Sequence, residues 1–252
     1  MTAREQLLSF LAKAADPNSG GRQMPQHYGH KDLRIVSQSS PTGTQFLQAV
    51  GCAMVCKMEK TKEVVYVSAG EGTTSQGDFH EALNWASNAK APVIFHIQDN
   101  EYAISTHRSE QTASSIYDIT SGYGNLSRYD VDGTDFFETS LAFKEAVQRA
   151  RRGKGPSIII SHVVRLLPHS SSDDQRKYRD EKSLDNDLKK DPLLILESKC
   201  VDAKFIKADE FAKIRLQVDK DVDIDSAWAE EQDFPEPETA MDHIYSSKEY
   251  PE

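Results

Sequence analysis

The chain has 252 residues and a formal net charge of −10, so its length allows one large domain or two small ones with a buried core. The negative balance argues against general binding to nucleic acids or to anionic membrane surfaces. No apolar run approaches the length of a membrane span, and the N-terminus lacks the pattern of a signal peptide. The three cysteines follow no zinc-ligand spacing, so the sequence predicts no zinc site.

The N-terminal segment predicts one helix, one loop and one short strand. Residues 1–15 have the period of an amphipathic helix whose leucines share one face. A polar loop flanked by glycines follows, and it contains His27, which we interpret as a surface or packed histidine without an assigned proton-transfer role. Leu33–Val36 predicts a short strand.

Residues 37–45, SQSSPTGTQ, bring hydroxyl groups and main-chain carbonyls to the start of a helix predicted for residues 44–57. A helix N-terminus with free N–H groups favours anions. Hydroxyl and carbonyl oxygens can also surround a monovalent cation. A plain Ser/Thr cap of the helix explains the same residues equally well, so these alternatives stay open at this point.

The clearest pattern of the chain lies between Val64 and Ser105. A β-rich run, Val64–Ser68, is followed by a helical pattern over residues 77–88 and by a second apolar run over residues 92–97. Strand, helix and strand in this order predict one parallel βαβ unit. We therefore predict an α/β fold with an open parallel sheet flanked by helices.

Polar residues follow both strands of this unit, at the edge where ligands bind to open parallel sheets. Gly70 and Gly72 let the backbone approach a bulky anion, and Glu71 between them is a charged oxygen ligand. Asn100 offers an amide oxygen after the second strand. Carboxylate, amide and carbonyl oxygens suit Mg²⁺, which could hold a diphosphate. The alternative is that the triplet is only a tight turn and Asn100 a loop cap.

The next segments continue the alternation of strands and helices. Tyr129–Val131 predicts a very short strand, and Asp135 is a good N-cap for a helix that runs to about Arg152. Pro156–Ser161 is a continuous apolar run, as expected for a buried parallel strand. The intervening residues 106–125 predict a loop with one short helix near its end.

A second site element follows that buried strand, in the segment RLLPHSSSDDQRKYR that begins at Arg165. Arg165 can clamp a phosphate with two parallel hydrogen bonds. His169 can hydrogen-bond a phosphate or a reacting oxyanion. The alternative is that His169 is an ordinary surface residue of a polar loop.

From these patterns we predict two domains, an α/β domain over residues 1–180 and an acidic helical arm or linker over residues 181–252. Four large apolar side chains in so acidic a segment are expected to pack against the rest of the chain or a partner. They are Trp228, Phe234, Met241 and Ile244.

The central stretch resembles the thiamine-diphosphate motif, in which a Gly-Asp-Gly triplet is followed further along by Asn-Asn. More closely, it is similar to the alpha subunit of the decarboxylating component of 2-oxo acid dehydrogenase complexes. Glu in place of Asp in the triplet is similar to the branched-chain 2-oxo acid branch. The segments that carry the resemblance are GEG at residues 70–72, SQGDFHEA at residues 75–82, YAIS at residues 102–105, GRQMPQHYG at residues 21–29 and the RLLPHSSSDD loop.

The resemblance implies a set of site residues. It implies that Glu71, Asn100 and the main-chain carbonyl of Tyr102 hold magnesium, and that His169 is the catalytic residue. The expected contacts to thiamine diphosphate are Ser40, Thr42, Gly70, Glu71, Gly72, Thr73, Asn100, Arg165 and His169. In the branched-chain members Ser39, Pro41, Thr44 and Gln45 would supply a potassium site. Ser170 stands where mitochondrial relatives are phosphorylated.

The sequence departs from the family pattern at two positions. Asp99 stands where the family usually has a second Asn, and Gln98 stands where branched-chain relatives often place a phosphate-binding Arg. Relatives also carry further helices and a Tyr-Arg phosphate contact upstream, so the resemblance implies a truncated chain or a divergent split gene.

The resemblance implies oxidative decarboxylation of a small 2-oxo acid, with acyl transfer to a lipoyl-bearing acyltransferase. No Glu in a recognisable motif is available to activate the cofactor, and in the family that residue comes from the beta subunit. We therefore expect a half-site that is inactive without a beta subunit or beta half. The competing hypothesis is a non-catalytic, cofactor-binding or regulatory pseudo-subunit. The expected location is the cytoplasm for a bacterial protein or the mitochondrial matrix for a eukaryotic one.

Overall fold

The computed structural model describes residues 1–244. The chain divides into two compact units, one formed by Met1–Ser40 with the described residues from Lys207 onward, the other by Pro41–Ile206. The division into domains at residues 180 and 181 stays a prediction, because compactness alone does not show which segments fold independently. The end of the predicted arm, residues 245–252, lies outside the described residues.

The larger unit contains all six described strands and most of the helices. The strands are β1 (Val65–Gly70), β2 (Val93–Asp99), β3 (Tyr102–Ala103), β4 (Thr106–His107), β5 (Ser127–Asp132) and β6 (Ser157–His162). The helices of this unit are α2 (Thr44–Met58), α3 (Gly77–Ala89), α4 (Arg108–Gln111), α5 (Ile116–Ile119), α6 (Phe136–Arg151), α7 (Glu181–Leu188) and α8 (Pro192–Asp202). The smaller unit contains α1 (Ala3–Phe10) and α9 (Ala208–Glu230). Short 3₁₀ turns cover Glu71–Ser75, Gln175–Lys177 and Pro237–Met241.

The main sheet has four strands in the order β1-β2-β6-β5, and all neighbours are parallel. It is flanked by helices, so the predicted fold class is confirmed. Alternate side chains of the two central strands enter two separate apolar cores. On one face Phe95, Ile97 and Ile160 pack with residues of α2 and α3, and on the other Ile94 and Ile159 pack with α6.

Helix boundaries follow local signals where those signals are strong. The Asp135 side chain accepts hydrogen bonds from two main-chain amides at the start of α6, which confirms the predicted cap. α2 begins after Gly43, whose φ is 97° and whose missing Cβ leaves room for Gln76. α2 and α3 begin at the residues that the periodicity predicted.

Three predictions about local structure were wrong. Leu33–Val36 is not a strand, because the chain turns at residues 31–34 and forms only an isolated bridge between His30 and Ile35. The first helix ends at Phe10 instead of Ala15, since Ala12 adopts a φ of 52°. The β3–β4 hairpin was missed in a segment predicted as loop, because two-residue strands carry no periodic signal.

The smaller unit is held together by α1 and α9. Lys13 is buried, and its ammonium group donates to the main-chain oxygens of Glu230, the last residue of α9, and of Gln232 just beyond it. The same group lies 3.9 Å from the centre of the Phe234 ring, and Arg4 lies 4.6 Å from that of Trp228. The expected packing is therefore confirmed for Trp228, which is half-buried, whereas Phe234 contacts Lys13 but is 68% exposed. Met241 and Ile244 remain exposed.

Candidate functional site

The ends of β1 and β2 lie side by side, which brings Glu71 and Asn100 together. Gly70 pairs with Gln98 in parallel register, so the residues that follow both strands emerge at the same edge of the sheet. The main-chain N–H of Asn100 donates to Oε2 of Glu71 at 3.2 Å. The expected convergence of the two strand ends is therefore present.

The Glu71 carboxylate is buried, with 3% of the residue exposed. Its Oε1 atom is buried and has no hydrogen-bond partner among the described residues. Burial raises the pKa of Glu71, and the negative charge of Asp99 raises it further. Hydrogen bonds from the main-chain amides of Glu71 and Asn100, and the positive charge of Arg165, act in the opposite direction. A buried carboxylate oxygen without a partner is costly unless a cation or a donor meets it.

Asn100 lies in a tight turn that leads into the β3–β4 hairpin. Its Oδ1 accepts a hydrogen bond from the Tyr102 amide at 3.1 Å, and one lone pair of that oxygen remains for a further ligand. Glu101 between them has a φ of 70°, a conformation that reverses the chain direction. The donor set at this edge is therefore a carboxylate oxygen, an amide oxygen and main-chain carbonyls, which fits a hard cation such as Mg²⁺.

The two glycines of the triplet differ in what surrounds them. A Cβ atom on Gly72 would lie 2.7 Å from Cβ of Ala103, so the hairpin packs directly on this glycine. A Cβ on Gly70 would meet nothing closer than the Gln98 oxygen at 4.0 Å, so the space above it is open. Thr73, a predicted cofactor contact, is partly buried in the 3₁₀ turn that follows.

Asp99 is a buried residue of the site whose partner the sequence did not indicate. It is 2% exposed, and its carboxylate forms an ion pair with Arg108 and accepts the Glu101 amide at 3.0 Å. His162 lies 3.7 Å from the same carboxylate, at the end of β6. Asp99, which departs from the family pattern, is thus accompanied by the cation of Arg108, which neutralises its charge.

The second predicted element, the loop after β6, is held by a network of its own. Arg165 donates to the main-chain oxygen of Ile104 at 2.7 Å and to the Tyr178 hydroxyl at 2.6 Å, and its Nε is buried without a partner among the described residues. The Tyr178 hydroxyl donates to Asp173, which also accepts the amide of His169 at 2.9 Å. These two hydrogen bonds, that from Tyr178 foremost, lower the pKa of Asp173.

His169 itself is exposed, and its main-chain amide is the group that the loop fixes. Arg165 links this loop to the hairpin, since the Ile104 oxygen belongs to the segment between β3 and β4. Arg179, the last residue of this loop, is 6% exposed, pairs with Asp187 and lies 5.1 Å from the centre of the Tyr102 ring. Arg179 ends the segment RLLPHSSSDDQRKYR, but its burial could not be predicted because a buried arginine has the same sequence signal as an exposed one.

Within residues 39–45, side chains form hydrogen bonds with main-chain groups of the same segment. The Thr44 hydroxyl donates to the main-chain oxygen of Pro41 at 3.1 Å, and Oε1 of Gln45 accepts the Gly43 amide at 3.1 Å. Thr42 is exposed beside them. Ser39 and Ser40 belong to the smaller unit, where the Ser40 hydroxyl lies 2.9 Å from Nε2 of His27. The potassium and cofactor roles predicted for these residues stay predictions.

Residues 1–244 contain no group of three or more His, Cys, Asp and Glu side chains arranged to hold a metal ion. None of the helices described over the same range is both long and apolar enough to cross a membrane. A magnesium site of one carboxylate, one amide and one carbonyl does not require such a group.

Comparison with known proteins decides the family. The family model described as "Dehydrogenase E1 component" matches residues 1–238. The chain belongs to this family. The resemblance inferred from the motifs is therefore confirmed, and the dehydrogenase E1 component family is thiamine-diphosphate dependent.

The three similar proteins described next are all named as alpha subunits of dehydrogenases. The chain is 43% identical over 248 residues to the 2-oxoisovalerate dehydrogenase subunit alpha of Bacillus subtilis, which covers 98% of this chain and 74% of that protein. It is 44% identical over 160 residues to the human mitochondrial subunit of the same name, 36% of whose length is matched. The 3-methyl-2-oxobutanoate dehydrogenase subunit alpha of Mycobacterium tuberculosis is 41% identical over 156 residues, 42% of its length. The chain thus spans less than half of these last two relatives.

Proposed function

We propose that the chain is the alpha subunit of the decarboxylating component of a branched-chain 2-oxo acid dehydrogenase complex. The observation that carries the proposal is the Glu71 carboxylate, buried beside Asn100 with one oxygen lacking a partner among the described residues. The names of the similar proteins support the branched-chain assignment, as does Glu in the glycine triplet. Its reaction would be oxidative decarboxylation of a 2-oxo acid with acyl transfer to a lipoyl group.

In this proposal the residues of the chain bind and orient the diphosphate end of the cofactor. Glu71, Asn100 and the Tyr102 carbonyl would hold Mg²⁺, and Gly70, Gly72 and Thr73 would line the approach of the diphosphate. When bound, thiamine diphosphate supplies the carbon nucleophile and the electron sink for decarboxylation. Arg165 and His169 would face the diphosphate and the substrate, and His169 would hydrogen-bond the reacting oxygen.

The chain would work only with partners. A carboxylate that activates the cofactor would come from a beta subunit or beta half, so the isolated chain would be inactive. The acyl acceptor would be a lipoyl-bearing acyltransferase. The enzyme would act in the cytoplasm of a bacterium or in the mitochondrial matrix of a eukaryote, in keeping with the bacterial and mitochondrial relatives.

The experiment is reconstitution with a beta subunit of the same family. Calorimetric titration with magnesium and thiamine diphosphate, with and without the partner, is combined with decarboxylation assays on branched-chain 2-oxo acids and pyruvate. We expect binding and turnover only in the assembled enzyme, with branched-chain acids preferred. Robust turnover by the isolated chain would refute the half-site. Assembly without turnover would favour the pseudo-subunit, and a preference for pyruvate would refute the branched-chain assignment.

The potassium site is a separate proposal that rests on the likeness to branched-chain members. Ser39, Pro41, Thr44 and Gln45 would supply oxygen ligands to K⁺ at the start of α2. Thermal unfolding of the full chain in potassium and in sodium salts at equal ionic strength tests it. We expect a higher unfolding temperature in potassium, and Gln45→Leu should abolish the difference. Equal unfolding temperatures in both salts would refute this site.

A further inference from the structure

Helix α4 contacts both strand ends of the site, through residues to which no role has been assigned. From its first residue, the Arg108 guanidinium pairs with the buried carboxylate of Asp99 and lies 3.4 Å from that of Glu101. From its last residue, Nε2 of Gln111 donates to the Gly72 main-chain oxygen and to the Ser75 hydroxyl, both at 2.8 Å. One turn of helix thus contacts the segment after β1 and the segment after β2.

We propose that Arg108 and Gln111 are positioning residues, which hold the two strand-end segments at the separation that lets Glu71 and Asn100 share one cation. The inference rests on the proposed function, because it assigns these residues to the magnesium site. Neither side chain is proposed to touch the ion or the cofactor.

The contacts of Arg108 fix the segment that carries Asn100. Asp99 and Glu101 flank Asn100 in the chain, and Arg108 contacts the side chains of both. The Arg108 amide also donates to the Glu101 main-chain oxygen at 2.8 Å. Glu101 is held in a left-handed conformation with a φ of 70°, which needs support from its surroundings. The guanidinium therefore keeps the turn in the shape that directs Asn100 towards Glu71.

The contacts of Gln111 fix the segment that carries Glu71. The Gly72 oxygen that Gln111 binds belongs to the residue directly after Glu71, and Ser75 ends the same 3₁₀ turn. The hairpin also lies against Gly72 through Ala103, where a Cβ atom on the glycine would be only 2.7 Å away. Because Arg108 and Gln111 are three residues apart on one helical turn, displacement of one segment is transmitted to the other.

Arg108 also has a second role, because its positive charge neutralises the buried carboxylate of Asp99. The test must separate this electrostatic role from the positioning role. Without Arg108, the buried carboxylate of Asp99 would lose its permanent cationic partner while it lies near the buried carboxylate of Glu71, so Arg108→Leu alone should destabilise the fold. The double variant Asp99→Asn with Arg108→Leu removes both charges. It should restore most of the stability and still lack the side-chain contact between α4 and the end of β2.

The test compares Arg108→Leu, Gln111→Leu and the double variant with Lys213→Gln. Lys213→Gln is a matched control, because it also removes a cation and an ion pair, but at an exposed position on α9. The first measurement is amide hydrogen exchange of the full chain without cofactor. We expect exchange at residues 71–75 and 99–107 to become at least about tenfold faster in the first three variants, with the rest of the larger unit unchanged in the double variant.

The second measurement is the affinity of the enzyme assembled with its beta subunit for magnesium and thiamine diphosphate. We expect the Kd to rise about 10- to 100-fold in the three variants and to be unchanged in Lys213→Gln. Unchanged exchange at residues 71–75 and 99–107 would overturn the inference, as would uniformly faster exchange in the double variant. A wild-type enzyme that does not bind the cofactor would refute the proposed function instead, and the exchange data would still decide whether α4 connects the two segments.

Discussion

The proposed site has two halves that are built differently. One half is the sheet edge at the ends of β1 and β2, and the other is the loop from Arg165 to Arg179. At the sheet edge, Glu71 and Asp99 are 3% and 2% exposed and are held by main-chain amides and an ion pair. In the loop, His169 is exposed, and the hydrogen bonds run mainly between loop residues. The half proposed to bind the metal is therefore preorganised by the sheet, whereas the half proposed to face the substrate depends on a few exposed or partly buried hydrogen bonds.

The largest expected effect comes from Glu71→Gln at the buried edge. The substitution removes the proposed charged ligand, so the affinity of the assembled enzyme for magnesium and thiamine diphosphate should fall by at least about 100-fold. Loss of a residue that only orients a ligand should cost less. Because burial raises the pKa of Glu71, its charged form destabilises the cofactor-free fold. The unfolding temperature of the cofactor-free chain should therefore stay unchanged or rise. The exposed Glu145→Gln on α6 is the control, and a matching loss of affinity there would contradict the assignment.

The glycine pair tests how tightly the edge is packed. Gly72→Ala would place a methyl group 2.7 Å from Ala103 and should destabilise the cofactor-free chain by about 1–3 kcal/mol, as overpacking does. Gly70→Ala has open space around the added methyl group and should leave that stability within about 0.5 kcal/mol. Urea unfolding of both variants measures the difference. Equal destabilisation would show that the hairpin does not pack on Gly72 in solution.

Substitutions in the loop should change the stability less than Gly72→Ala does. Arg165→Lys cannot keep both of its hydrogen bonds, and we expect a loss of about 1 kcal/mol in the free energy of unfolding. His169→Gln should leave the unfolding temperature unchanged, because the side chain is exposed, and should lower kcat of the assembled enzyme. Chemical unfolding and steady-state kinetics separate the two. A clear loss of stability in His169→Gln would show that this residue is structural.

The smallest expected effect is a pH dependence that involves neither half of the site. His96 is buried between Tyr66 and Ser161, and burial lowers the pKa of its imidazole. The unfolded chain therefore binds a proton that the folded chain does not, so stability is lost as the pH falls below the unfolded value of about 6.5. Thermal unfolding between about pH 8 and pH 5.5 should show a shallower decline in His96→Gln. Parallel curves would rule out this contribution.

Much of the fold followed from local pattern. The apolar runs of β2 and β6, the period of α3 and the cap at Asp135 each reflect the burial or the main-chain donors of a single element. Such signals depend only on residues that are close together in the sequence, so they can be recognised without knowing the rest of the structure. The isolated bridge at His30 and the β3–β4 hairpin were not recognised, because each depends on pairing too short to produce a period.

The sequence alone determined the alternation of strands and helices, the family, and the two strand ends from which Glu71 and Asn100 emerge. The tertiary structure decided which charges are buried and which residues neutralise or fix them. The pairing of Asp99 with Arg108, the hydrogen bonds of Gln111 to the Glu71 segment and the burial of Arg179 are examples. The physical reason is that polar side chains carry no periodic signal, and their energies depend on a local environment that only the packed chain creates.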